Sequence, residues 1–156
     1  MALLDVRNLS VEFPQRRGVL KALDQVSFSI EAGEILGLVG ESGAGKSLTG
    51  ASIIGLLEPP GRISEGQIVL DGERIDHLPP EHMRHVRGKR IGYIPQEPMS
   101  NLDPAFTIGS QLTEPMRVVL GLSKAEARAR ALDLLTKTHD EAAKAVLLSD
   151  LGLVAR

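Results

Sequence analysis

An α/β nucleotide-binding fold is the class this sequence predicts, and three observations predict it. Gly40-Glu41-Ser42-Gly43-Ala44-Gly45-Lys46-Ser47 fills every fixed position of the phosphate-loop pattern Gly-x-x-x-x-Gly-Lys-Ser. The continuous apolar run Ile35-Leu36-Gly37-Leu38-Val39 stands directly before it and reads as a strand buried on both faces of a parallel sheet. Lys46 to Leu57 directly after it reads as a helix, stopped by Pro59-Pro60-Gly61.

The remaining elements follow in chain order. Leu3 to Phe13 is a strand with Leu4, Val6, Leu9, Val11 and Phe13 as its apolar positions and a phase slip near Asn8. Gln15-Arg16-Arg17-Gly18 is an exposed turn, and Val26, Phe28 and Ile30 alternate along a half-buried strand. Gln67 to Leu70 is a strand leading into the hairpin turn Asp71-Gly72. Pro79 to Val86 is a short helix with proline at its start, and Arg90 to Ile94 is a strand ending at Pro95. From Thr107 the pattern is helical. Ser110 to Leu120 is interrupted by Pro115 and stopped by Gly121. Ser123 and Glu126 have capping-box spacing and open a helix to about Thr136, and a last helical stretch runs from about Asp140 to Val154. This is too few strands for a complete α/β sheet, so the expected core is incomplete.

Composition narrows the chemistry. The chain has 156 residues, which suits one domain or a piece of a larger one. Three Phe, one Tyr and no Trp leave the core to Leu, Ile, Val and Ala. A net charge of −2 gives no reason to expect a nucleic-acid partner, and Arg84, Arg87, Lys89 and Arg90 read as a solvated helix end and turn. The absence of cysteine excludes disulfides and thiol catalysis. His77, His82, His85 and His139 lack a metal-ligand spacing and read as surface residues. There is no signal-peptide pattern and no apolar run long enough to cross a bilayer, so the expectation is a cytoplasmic protein without direct membrane insertion.

The phosphate loop carries the chemistry. Gly40, Gly43 and Gly45 let the backbone curl with its N–H groups inward, and the following helix adds the positive end of its dipole. Lys46 supplies a full charge between phosphates, and the Ser47 hydroxyl suits Mg²⁺, which prefers oxygen donors. The loop is therefore expected to hold a nucleoside triphosphate with Mg²⁺, with Gly40, Glu41, Ser42, Gly43, Ala44, Gly45, Lys46, Ser47 and Leu48 as the binding segment.

Ile94-Pro95-Gln96-Glu97-Pro98-Met99-Ser100-Asn101-Leu102-Asp103-Pro104 adds a glutamine and a proline-bounded loop after a strand. Together with the phosphate loop it closely resembles the ATP-binding subunits of ABC transporters. Phe106-Thr107-Ile108-Gly109-Ser110-Gln111-Leu112 is similar to the dipeptide, oligopeptide and nickel import branch. The likeness covers roughly residues 3 to 135. It implies a small antiparallel β subdomain, the phosphate-loop strand and helix, and the start of a helical subdomain. Residues 1–106 would form the partial nucleotide-binding core and 107–156 the helical part, with an atypical C-terminal end. It implies Gln96 as a Mg²⁺ ligand and γ-phosphate sensor, acting with Lys46 in catalysis. It places Phe13 where an aromatic stacks on adenine, and a plain sheet-packing role for Phe13 is the alternative. The implied partners are transmembrane permease subunits and a second ATP-binding subunit, at the inner face of the cell membrane.

The same resemblance implies parts that the 156 residues do not contain: an LSGGQ-type signature, an apolar strand ending in Asp and then a catalytic Glu, and a switch His. Thr138-His139-Asp140-Glu141 follows a helix and reads as a helix start. The expectation is an N-terminal portion of an importer ATPase that binds nucleotide without efficient hydrolysis. Its rivals are a non-enzymatic piece that associates with an intact subunit, and a relative of the same fold used outside transport. The missing strands would also leave Ile35 to Val39 as an exposed edge.

Overall fold

The computed structural model describes residues 2–94 and 102–137, and it divides the chain into two compact units, residues 1–87 and 88–156. In the first unit, β1 (Leu4–Gln15), β2 (Gly18–Ile30), β3 (Arg62–Leu70) and β4 (Glu73–Arg74) form one sheet in the order β2-β1-β3-β4. Every pairing is antiparallel. β1 lies centrally because it alternates apolar and polar residues over a long stretch, and its Val6, Leu9 and Val11 are buried with Ile68, Leu70 and Ile75.

The phase slip near Asn8 is a β-bulge. Asn8 has φ 48°, and the β1–β2 register shifts between Val6 and Leu9. Gly66 of β3 lies so close to the Asn8 carbonyl that any Cβ there would overlap it, which accounts for glycine at that point of the strand. The Asp71-Gly72 turn between β3 and β4 has positive φ at both residues, 49° and 78°, as a two-residue hairpin requires. Just beyond β4, Asp76 accepts from the Ile68 amide at 2.8 Å and from Arg74 at 2.9 Å.

Two helices complete this unit. α1 (Lys46–Ile53) is shorter than the expected Lys46 to Leu57. Its C-cap is Ile54, and Gly55 follows at φ 64°, so the helix stops before the proline pair is reached. Arg87 donates to the carbonyls of Ile54 and Gly55 at 2.9 and 3.2 Å and so closes that end. α2 (Pro80–Val86) begins with proline as expected and buries Met83 and Val86.

Two expected strands do not form. Residues 35–39 have no regular secondary structure, and Ile35 and Val39 are 96% and 92% exposed. The apolar run has the composition of a buried strand, but a strand exists only through a ladder, and among the described residues nothing pairs with it. The phosphate-loop strand of the sequence reading is thus replaced by an irregular, solvent-facing segment. Arg90 to Ile94 likewise forms a turn and an isolated bridge instead of a strand, with the Gly88 amide donating to Ile91 at 2.8 Å.

The second unit contains α3 (Ile108–Leu120) and α4 (Lys124–Lys137). Thr107 caps α3 by accepting from the Ser110 amide at 3.2 Å, and Gly121 ends it at φ 70°. Pro115 lies inside α3 without ending it. The capping box opening α4 is reciprocal: Ser123 Oγ accepts from the Glu126 amide at 3.3 Å, and Glu126 Oε2 accepts from the Ser123 amide at 2.9 Å. The stretch expected to be helical from Asp140 onward lies outside the described residues.

Candidate phosphate-binding site

The loop from Gly40 to Ser47 joins this irregular segment to α1. Gly43 and Gly45 adopt φ 82° and 88°, a left-handed conformation that glycine enters without steric cost. Gly45 is the N-cap of α1; it makes no side-chain cap, and the first helical turn holds no acidic residue. The positive end of the helix is therefore neither capped by a side chain nor neutralised. Gly40 through Ala44 are exposed, Gly45, Lys46 and Leu48 half-buried, and Ser47 exposed in the first turn.

Lys46 turns back over the loop. Its Nζ donates to the carbonyls of Gly40 at 2.6 Å and Glu41 at 2.7 Å. A full positive charge thus stands at the loop's first residues while the helix dipole enters from its last. The Ala44 amide donates to the Glu41 carbonyl at 3.1 Å, and the Thr49 amide and hydroxyl both donate to the Gly45 carbonyl, at 2.8 and 2.9 Å. These bonds fix both halves of the curl.

The small sheet supports the loop directly. A Cβ at Gly45 would overlap a Leu23 methyl and lie 3.5 Å from the Ala22 carbonyl. Leu23 is 4% exposed and pairs with Val11 across β1. The sequence reading started this strand at Val26 and so missed Leu23; the signal was the apolar set Val19, Leu20, Ala22 and Leu23, whose alternation is broken by the register shift at Ala22.

Phe13 is half-buried and pairs with Leu20. Val11 and Phe13 are two residues apart and share a face of β1, the face on which Leu23 meets Gly45. Leu20 lies three residues from Leu23, about 10 Å along the strand. Phe13 therefore sits on the loop's side of the sheet, displaced along it from the phosphate loop. Gln96 lies outside the described residues, as does His139. His77, His82 and His85 are exposed, in line with their reading as surface residues. Among the described residues no group of three or more His, Asp or Glu could hold a metal ion.

The family model for ABC transporters matches residues 23–152. The chain belongs to the ABC transporter family. Among curated relatives, the dipeptide transport ATP-binding protein DppD of Escherichia coli (strain K12) is 38% identical over 137 residues, which are 88% of this chain and 42% of that protein. The oligopeptide transport ATP-binding protein OppD of Bacillus subtilis (strain 168) is 40% identical over 134 residues, 85% of this chain and 37% of that protein. The chain spans about two fifths of the length of these relatives. The dimeric structure of MJ0796, a bacterial ABC transporter cassette, is similar to it with a TM-score of 0.75 and 26% identity, over 85% of this chain and 56% of the cassette. The chain is thus homologous to the ATP-binding subunits of peptide importers, and its fold is a partial α/β fragment of such a cassette with a small antiparallel sheet. Among the described residues no helix is long and apolar enough to cross a membrane.

Proposed function

We propose that this chain supplies the phosphate-holding part of the ATP-binding subunit of a peptide importer. One observation carries the reading: the Lys46 ammonium and the uncapped N-terminus of α1 converge on a loop whose curl rests on Gly43 and Gly45. That arrangement suits a polyphosphate. Within it Lys46 neutralises the phosphates, the loop amides orient them, and Ser47 offers the hydroxyl for Mg²⁺. Gln96 completes the metal shell and senses the γ-phosphate. Phe13 stacks on the adenine.

Magnesium, when bound, supplies charge neutralisation between phosphate oxygens. Hydrolysis further needs a group that orients the attacking water. The sequence offers no evident residue for that role, so the chain by itself binds nucleotide and turns it over negligibly. In the intact importer, a second ATP-binding subunit and transmembrane permease subunits act with this one, peripherally at the inner face of the membrane. Calorimetric titration with magnesium ATP and with magnesium tripolyphosphate tests the reading. Both should bind, and Lys46→Ala should abolish both; binding that survives this change rules out the loop as the site.

A second reading draws on Ile35 and Val39, whose exposure gives the chain an adhesive apolar segment. In that reading the chain is an interaction piece for an intact ATP-binding subunit. A stable complex with such a subunit, without affinity for tripolyphosphate, would favour it.

A further inference from the structure

Gly61 ends the turn after α1, its amide donating to the Glu58 carbonyl at 2.8 Å, and β3 begins at the next residue. Arg62 pairs with Glu12 across β1. One step further along this antiparallel register brings Gly61 beside Phe13. The approach is close. A Cβ at Gly61 would stand 2.7 Å from Phe13 Cε1 and 2.9 Å from Cζ, nearer than side-chain atoms come to one another. The backbone at Gly61 does not have positive φ, unlike that at Gly66 or Gly72, so conformation does not require glycine here. What requires it is the ring edge, together with the Glu58 carbonyl at 2.9 Å.

We propose that Gly61 is a positioning residue for the nucleotide base: its missing side chain seats the edge of Phe13 and so sets the plane the ring offers to adenine. The inference rests on the reading of Phe13 as the adenine-stacking residue. An aromatic ring stacks only when its face is free and parallel to the base, so the seat under its edge governs how much stacking energy is realised. An alanine at 61 displaces the ring, because the other close neighbour is backbone and cannot yield.

The test compares magnesium ATP with magnesium tripolyphosphate on the full chain, since only ATP carries the base. Phe13→Leu should lower the ratio of ATP to tripolyphosphate affinity at least about fivefold, the low end for a base stacked on an aromatic ring. Gly61→Ala should lower the same ratio comparably and leave tripolyphosphate affinity unchanged. In the Phe13→Leu background, Gly61→Ala should have no further effect on the ratio. A normal ratio in Phe13→Leu overturns the adenine reading, and the inference with it. A lowered ratio in Phe13→Leu with a normal one in Gly61→Ala overturns the role of Gly61 alone. A further drop in the double variant assigns the effect to the Glu58 turn and also overturns it.

Nuclear magnetic resonance on the unmutated chain gives the second measurement, needed if Gly61→Ala fails to fold. Phe13 ring protons should show proximity to Gly61 Hα, and that Hα should shift on adding ATP but not tripolyphosphate. Equal shifts with both ligands, or with neither, contradict the proposal.

Discussion

Gly43 and Gly45 have nearly the same φ, 82° and 88°, yet alanine at the two positions should have unequal effects. The left-handed region costs an ordinary L-residue roughly 1–2 kcal/mol, and both substitutions incur that. At Gly43 nothing lies within 4 Å of the new Cβ, so the loss ends there. At Gly45 the Cβ meets the Leu23 methyl, with Leu23 Cγ at 3.7 Å and the Ala22 carbonyl at 3.5 Å behind it. Leu23 is 4% exposed, so it has no free direction in which to turn. Overpacking of this kind adds about 1–3 kcal/mol. Gly45→Ala should therefore lose roughly 2–5 kcal/mol, the sum of the two effects, against roughly 1–2 kcal/mol for Gly43→Ala. Urea unfolding followed by circular dichroism reads both from the midpoints, provided the slope is unchanged. Leu23→Ala, costly in the parent, should cost less in the Gly45→Ala background because it removes the overlap. Equal losses at the two glycines, or strict additivity with Leu23→Ala, would refute the idea that β2 supports the loop.

Other consequences are simpler to state. Lys46→Ala should abolish tripolyphosphate binding while the unfolding midpoint stays in place, because the bonds that the ammonium makes to Gly40 and Glu41 are exposed. Ile35→Lys should leave stability within about 0.5 kcal/mol and raise solubility, because the side chain it replaces is 96% exposed; a large loss would mean that the segment is buried. Ser123→Ala should cost α4 about 1 kcal/mol, seen as faster amide exchange in its first turn. Asp76 should contribute to the acid limb of stability. Burial pushes its carboxyl up, but the hydrogen bonds from Arg74 and the Ile68 amide, with the Arg74 charge, outweigh that and hold it below the ordinary carboxylate range. The folded state thus favours the charged form. Its contribution is complete above the unfolded value, about 3.9, and disappears as pH falls through the lower folded value. Asp76→Asn should flatten stability against pH in that window, and an unchanged acid limb would count against the Arg74 pair.

How much was legible in the sequence depended on whether a signal is local. The Asp71-Gly72 hairpin, the Ser123 and Glu126 capping box and the Gly121 stop are each written in a few adjacent residues, and each forms as read; at Gly40 to Ser47 the glycine curl and the helix start form, but the strand expected before them does not. Apolar runs are different. Ile35 to Val39 has the composition of a buried strand, but its burial depends on partners that the described residues do not provide. Arg90 to Ile94 fails for the same reason. The end of α1 was missed because Pro59-Pro60 is the louder breaker, although Gly55 acts first. Leu23 and Gly61 were invisible for a third reason: their importance lies in what they touch across the sheet, and register was unknown until the bulges were placed.

The inward turn of Lys46 also bears on what kind of ligand the loop selects. Its ammonium uses two of its three N–H groups on the carbonyls of Gly40 and Glu41, so an incoming phosphate meets one remaining donor and otherwise competes with those carbonyls. Such competition is favourable only when the new acceptors are better than amide oxygens, as anionic oxygens are because their charge attracts that of the ammonium. A neutral ester of the same shape offers the ammonium nothing that the backbone does not already give. The loop thus discriminates by charge before it discriminates by shape, and its affinity should climb with each proton removed from the polyphosphate.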